Sequence, residues 1–170
     1  MGWEVPMLVS TKGRHALRAL VDLAEHQAAG YIPLKQIADR QSISEKYLES
    51  ILSSLVQHGL LLGRRGRGGG YRLARNARRC TVMSVLTLTE GSISAVPCLE
   101  GRSTGCHRAS RCRTLAMWEG LDSLVRTYLE GVTIADLMRS PKMAIAAPDA
   151  RQTTARPGEV SVSDDRVQDP

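Results

Sequence analysis

Residues 60–74, LLLGRRGRGGGYRLA, constrain this chain more than any other stretch. Two short apolar arms flank eight residues that are all glycine or arginine. Glycine adopts positive φ without strain and leaves the tip of a turn free of bulk, so the segment reads as strand, tip, strand. Leu60 to Leu62 form one arm and Tyr71 to Ala74 the other. The order GRRGRGGGY matches neither G-x-G-x-x-G nor a phosphate loop ending in Gly-Lys-Ser/Thr, so nucleotide binding has no support.

What precedes the hairpin is helical. From Thr11 to Gln27, Ala16, Leu20, Leu23 and Ala24 recur at helical spacing, and Gly30 with Pro33 marks the exit. Leu34 to Arg40 makes a short second helix with Leu34, Ile37 and Ala38 on one side. The QSIS segment turns the chain, and Ser44 suits the N-cap of a third helix that ends at Gly59. That helix turns Leu48, Ile51, Leu52, Leu55 and Val56 inward. Its other face carries Glu45, Lys46, Glu49, Ser50, Ser53 and Gln57, all able to hydrogen-bond. Two helices across a tight turn, then a basic two-stranded hairpin, describe a winged helix-turn-helix. The third helix suits a DNA major groove, and the hairpin suits the flanking backbone or minor groove. The plainer alternative is a helical bundle with a basic loop.

Charge supports a polyanionic partner. Residues 1–139 hold 19 Lys and Arg against 12 Asp and Glu, whereas residues 140–170 hold 4 against 5. Between Arg64 and Arg79 there are seven arginines and no acid. Such a stripe on a compact domain favours nucleic acid, although a solvated cationic face is the bland reading. Nothing resembles a Ser/His/Asp set or a catalytic carboxylate pair, so an enzyme is not expected. The start of the chain lacks a secretory signal, and no apolar run approaches the ~18 residues of a membrane span. The expected location is the cytoplasm, where lasting disulfides are rare and clustered cysteines mean metal or redox chemistry.

Downstream, a short helix from Val82 to Thr89 leads into CLEGRSTGCHRASRCR, in which Cys98, Cys106 and Cys112 are spaced C-x7-C-x5-C among four arginines. Cys80 stands apart beside Val82 and reads as a small buried hydrophobe. A long helix from Leu115 to Gly131 follows, then a short one from Thr133 to Met138. Met117, Leu121, Leu124 and Tyr128 form a stripe that Trp118, Val125 and Leu129 widen. The stripe packs either on its own domain or, as favoured here, on a second subunit. Residues 140–170 lack periodicity and are rich in Pro, Ala, Ser and charge, which predicts a disordered tail.

The ordered series STKGRHALRALVDLAEH, PLKQIADRQSISEKYLESIL, RRGRGGGYRL and C…C…CRTLAMW resembles the Rrf2 family of winged-helix transcriptional regulators, and within it the IscR- and NsrR-like iron–sulfur type. The likeness covers about residues 7–138. It implies a mainly α fold with a small β-hairpin wing and a long dimerisation helix. The expected division is an N-terminal extension at 1–6, a DNA-binding domain at 7–80, a cluster loop with dimerisation helices at 81–139 and the tail at 140–170. Family chains begin just before the Ser-Thr-Lys-Gly segment, which makes Met7 the expected start.

The resemblance further implies a cytoplasmic homodimer, repressor or activator, on a near-palindromic operator. It implies an iron–sulfur cluster, [2Fe-2S] or [4Fe-4S], held by Cys98, Cys106 and Cys112. The family's base-reading positions fall on Lys46, Tyr47, Glu49 and Ser50, and its wing arginine on Arg65. Glu49 can accept from cytosine N4, Arg65 and Arg67 suit a narrow minor groove or phosphates, and Arg75 suits a phosphate. Tyr47 has an alternative use, hydroxyl contact with a phosphate or packing under its helix. A fourth cluster ligand is missing from both places where relatives supply it, since Leu115 and Arg14 stand there. His107, Glu100, His15 or an exogenous molecule are the remaining candidates. Two other readings stay open: a structural zinc site on the three cysteines with His107, and a module that docks a partner enzyme with thiols as redox switches.

Overall fold

Ser10 begins the fold. Its backbone is extended, and its Oγ accepts from the Lys12 and Gly13 amides at 3.1 and 3.3 Å while donating to Glu90 Oε1 at 2.9 Å. Two of the orphan amides at the start of α1 (Thr11–His26) are thereby satisfied, and the helix is tied to a residue eighty positions away. The computed structural model describes residues 9–94, 96–102, 106 and 108–139, with backbone alone at 100–102. The extension at 1–6, the expected start at Met7, the tail at 140–170 and His107 lie outside the described residues.

After α1 come α2 (Leu34–Gln41) and α3 (Glu45–Gln57), then β1 (Leu61–Arg64) and β2 (Gly70–Leu73), then α4 (Val82–Glu90), α5 (Leu115–Gly131) and α6 (Ile134–Leu137). The fold is therefore mainly helical with one antiparallel hairpin, a winged helix-turn-helix followed by a long helix. Pairing begins at Leu61↔Leu73 and runs to Arg64↔Gly70, one residue later on the first arm than the sequence suggests. Leu60 is the junction: its amide donates back to the Leu55 carbonyl at the end of α3, while its carbonyl accepts from the Ala74 amide beside the hairpin, both at 3.0 Å. Ser44 does occupy the N-cap of α3, yet its side chain makes no capping bond.

Two apolar clusters hold these elements. The larger joins α1, α2, α3 and β1 through fully buried Leu20, Leu23, Ile37, Leu48, Ile51 and Leu61. The smaller joins α4 to α5 through Val82, Met83, Leu86, Ile93 and Val132, with Val125 and Leu129 packed against it. Gly13 lets α1 lie close on α4, because a Cβ there would stand 2.3 Å from Glu90 Oε1 and 2.9 Å from a Leu86 methyl. The far end of α5 is fastened back to the segment that follows the hairpin, since Val82 donates to the Val132 carbonyl and Ile134 to that of Cys80, both at 2.8 Å. Cys80 is 4 % exposed, as its apolar neighbour suggests, and burial pushes its thiol up despite opposing pulls from Ser84 and Arg75. Among the described residues no helix is long and apolar enough to cross a membrane.

One polar knot lies inside this core. Asp22 is 2 % exposed, and Arg40 grips its two oxygens at 2.8 and 2.7 Å while Gln41 Nε2 donates to one of them at 3.1 Å. Burial raises the carboxyl, but the bonds from Arg40 and Gln41 and the charges of Arg40 and His26 outweigh it and hold Asp22 below its ordinary value. A depressed carboxyl stabilises the fold above its unfolded pKa and loses that contribution as pH falls through the folded one. Removing the guanidinium strands a buried carboxylate, so Arg40→Ala is expected to cost about 3 kcal/mol or more. Urea melts at pH 7 check this, and at pH 3 the gap between variant and wild type should narrow.

Candidate nucleic-acid interface and cysteine loop

The first two turns of α3 present Lys46, Tyr47, Glu49 and Ser50 on one exposed face, opposite the buried Leu48, Ile51, Leu52 and Leu55. Helical period alone enforces that division. Ser50 Oγ donates to the Tyr47 carbonyl at 2.7 Å. Tyr47 is 38 % exposed and rests edge-on against His15 of α1, with centroids 5.8 Å apart. The packing role is therefore real, and it leaves part of the side chain accessible. His15 Nδ1 is buried without a hydrogen-bond partner. Burial, then the charges of Arg18 and Arg14, lower its pKa, so the ring is held neutral against the recognition helix. Arg14 is exposed and reaches Thr11 Oγ1 at 3.0 Å.

Beside α3, the wing exposes Arg65 and Arg67 at its tip, with Arg75 exposed just past β2. A cleft of about 540 Å³ separates wing from helix, bordered by Pro33, Glu49, Ser53, Gln57, Arg65 and Gly70. Gly70 is required by close approach as well as by φ (+146°), since a Cβ would stand 2.1 Å from the Ile32 carbonyl oxygen. Ile32 thus adds a short third rung to the wing, exchanging two 2.9 Å backbone bonds with Tyr71. Among the described residues the ion pairs lie elsewhere, joining Asp22 to His26 and Arg40, and Asp122 to Arg126. Among the described residues no carboxylate forms an ion pair with a wing arginine, although Glu49 borders the same cleft as Arg65.

Sequence reasoning missed one feature of this surface. Arg64 and Arg72 both lie over the ring of Tyr31, at 4.6 and 5.0 Å from its centroid. Nothing local signals the contact, because the three residues sit on three different segments.

The apolar stripe on α5 divides. Val125 and Leu129 pack on their own α4, whereas Met117, Leu121, Leu124 and Tyr128 are 54, 40, 49 and 39 % exposed. One edge of the stripe is therefore domain core, and the other faces outward.

At the opposite end of α5, Cys112 stands three residues before the first helical residue, Leu115. Cys98 is exposed, Cys106 and Cys112 are half-buried, and all three are free thiols. The Thr114 hydroxyl stands 3.4 Å from Cys112 Sγ. That contact, then the amides of Thr114 and Leu115 and the charge of Arg108, lower the Cys112 pKa and favour the thiolate. Arg108, Ser110, Arg111 and Cys112 line an open cleft of about 580 Å³. Among the described residues, no three His, Cys, Asp or Glu converge into a group able to hold a metal ion. The three sulfurs are thus chemically suited to soft-metal ligation but not gathered here. His15, one candidate fourth ligand, is placed against Tyr47. Leu115 opens α5, and the side chain of Glu100 lies outside the described residues.

Known proteins share this arrangement. The family model described as Rrf2, iron-dependent transcriptional regulator, matches residues 9–140. The HTH-type transcriptional regulator IscR of Serratia proteamaculans is 35 % identical over 150 residues, 88 % of this chain and 90 % of its own. Among solved structures, T. potens IscR superposes with a TM-score of 0.60 at 34 % identity, covering 78 % of this chain and 87 % of its own. CymR, the global cysteine regulator of B. subtilis, does so with 0.61 at 33 % identity, covering 76 % and 95 %.

Proposed function

The chain belongs to the Rrf2 family and is an IscR-like transcriptional regulator rather than an enzyme, and from that premise we propose a cytoplasmic homodimer whose operator binding is controlled through Cys98, Cys106 and Cys112. Two copies joined along the outward stripe of α5 place two α3 helices on one side, as a near-palindromic operator requires. On each half-site Lys46, Tyr47, Glu49 and Ser50 meet base edges, Arg65 and Arg67 enter the flanking minor groove, and Arg75 meets a phosphate. The observation that carries the DNA reading is the uncompensated wing, arginine-rich and without a carboxylate partner among the described residues, set directly beside the polar face of α3.

The donor set fits an iron–sulfur cluster: three free thiols, one of them biased toward thiolate beside arginines. When bound, such a group supplies sensitivity to oxidants, nitric oxide or iron supply. The rest falls to the protein. Cys98 and Cys106 must be drawn to Cys112, and Cys112 adjoins the first turn of α5 through Thr114 and Leu115. Because α5 is fastened at its other end to Cys80 and Val82, closing the loop tilts a helix that is anchored to the DNA-binding unit. A tilt at the two-fold interface changes the spacing of the paired α3 helices, and half-sites one turn apart tolerate little such change.

The base-reading assignment has its own test. A carboxylate that accepts from cytosine N4 discriminates by about 1–3 kcal/mol. Glu49→Ala is therefore expected to relax preference at one base pair per half-site, read by repeating selection from a random duplex pool. Unchanged preference would remove α3 from the major groove.

A further inference from the structure

Tyr31 belongs to none of the roles assigned so far. It precedes Ile32, whose two 2.9 Å bonds to Tyr71 fix its backbone beside the wing. The strand register then decides what it can touch. Leu61↔Leu73 and Gly63↔Tyr71 turn toward the core and α3, with Leu61 1 % exposed and Val56 next to Gly63. Successive strand residues alternate in direction, so the side chains of Leu62↔Arg72 and Arg64↔Gly70 turn to the other face, while Arg64 also borders the cleft beside α3. On that outer face two exposed guanidinium groups are gathered over one tyrosine ring, and Arg64 also donates to the Gly68 carbonyl. Two like charges brought to one ring repel each other, and among the described residues no carboxylate offsets them. The ring attracts both and limits their rotamers, which reduces the entropy an incoming anion must cost them.

We propose that Tyr31, Arg64 and Arg72 form a second phosphate grip on the outer face of the wing, holding the DNA backbone beyond the edge of each half-site. This rests on the DNA-binding reading above and adds a length requirement to it. DNA fits this face better than an acidic protein because the pair is continuous with Arg65 and Arg67 at the tip, which stand over the same flank. A duplex also supplies evenly spaced anions where the half-site ends. Arg64 and Arg72 are the contacting groups, and Tyr31 is a positioning residue that acts through them.

The test uses the full chain and two duplexes. One is the core site that wild-type protein selects from a random pool, trimmed to the base pairs whose identity is selected. The other is the same core extended on both sides by about one helical turn, ~10 bp. On the extended duplex, Arg64→Ala/Arg72→Ala is expected to lower the slope of log K against log salt by about 2 per protomer, with roughly a tenfold to hundredfold loss of affinity at low salt. On the core duplex it should match wild type, and selected base preference should not change on either. Tyr31→Phe keeps the ring and should behave as wild type, whereas Tyr31→Leu should lose several-fold on the extended duplex alone. The proposal is overturned if the double variant keeps the wild-type slope on the extended duplex, or loses equally on both. If Glu49→Ala still alters base preference in that case, only the grip is lost. Wild-type protein that binds no duplex sinks the grip and the DNA reading together.

Discussion

Replacing Cys98, Cys106 and Cys112 together with alanine is expected to abolish iron and acid-labile sulfide in anaerobically purified protein and to change operator affinity by about 5–150-fold, the usual span of a coupling between two sites. The fold should survive, because these side chains are exposed or half-buried and contribute to neither apolar cluster. Cys80→Ala is the internal control. It removes a buried thiol from the larger cluster and should lower stability while leaving iron content intact. Iron and sulfide are read by native mass spectrometry and anaerobic absorption, and affinity by titration of the selected operator with and without the metal. Zinc in place of iron would assign the loop a structural site. Metal-free wild-type protein, even after reconstitution with iron and sulfide, would leave only a thiol-switch regulator. Equal affinity in loaded and alanine-substituted protein would separate the cofactor from DNA binding altogether.

Much of the architecture is legible because it depends on period and punctuation. Leu48, Ile51, Leu52 and Leu55 repeat as a helix face and are fully buried, and Gly66, Gly68 and Gly69 serve the turn between the paired arms. Cys80 follows from its apolar neighbour. The parts that escape are contacts between segments. Asp22 and Arg40 are eighteen residues apart, and each alone reads as an ordinary exposed charge on a helix. Tyr31 reads as a loop residue before a proline until the Ile32–Tyr71 rung brings it to the wing. The α5 stripe is visible, but its division is not, since only the position of α4 decides that Val125 and Leu129 turn inward while Leu121 and Leu124 do not. The cysteine loop is the clearest limit. Spacing singles out Cys98, Cys106 and Cys112, but separation along the chain does not encode separation in space, and among the described residues they form no metal-holding group.

The same division of α5 yields the second large effect. Leu121→Asp with Leu124→Asp is expected to convert the proposed dimer to a monomer and to weaken operator binding by roughly two to three orders of magnitude. Burying a leucine contributes about 1.5–3 kcal/mol, and the proposed two-fold interface would use the exposed Met117, Leu121, Leu124 and Tyr128 from both copies. An aspartate pair at the middle of that surface replaces the gain with carboxylates that must be desolvated without partners. A monomer then keeps only one half-site, and since specific binding exceeds non-specific by roughly 10³–10⁷, losing half of that discrimination accounts for the drop. Folding should be little affected, because both positions are at least 40 % exposed in the single chain. Val125→Ala makes the opposite trade. It thins the contact with α4, so it should cost about 1–2 kcal/mol of stability and leave the dimer intact. Sedimentation equilibrium with thermal melts distinguishes the two variants. A Leu121→Asp/Leu124→Asp protein that stays dimeric would move the two-fold axis off α5, and with it the route by which the cysteine loop reaches the DNA.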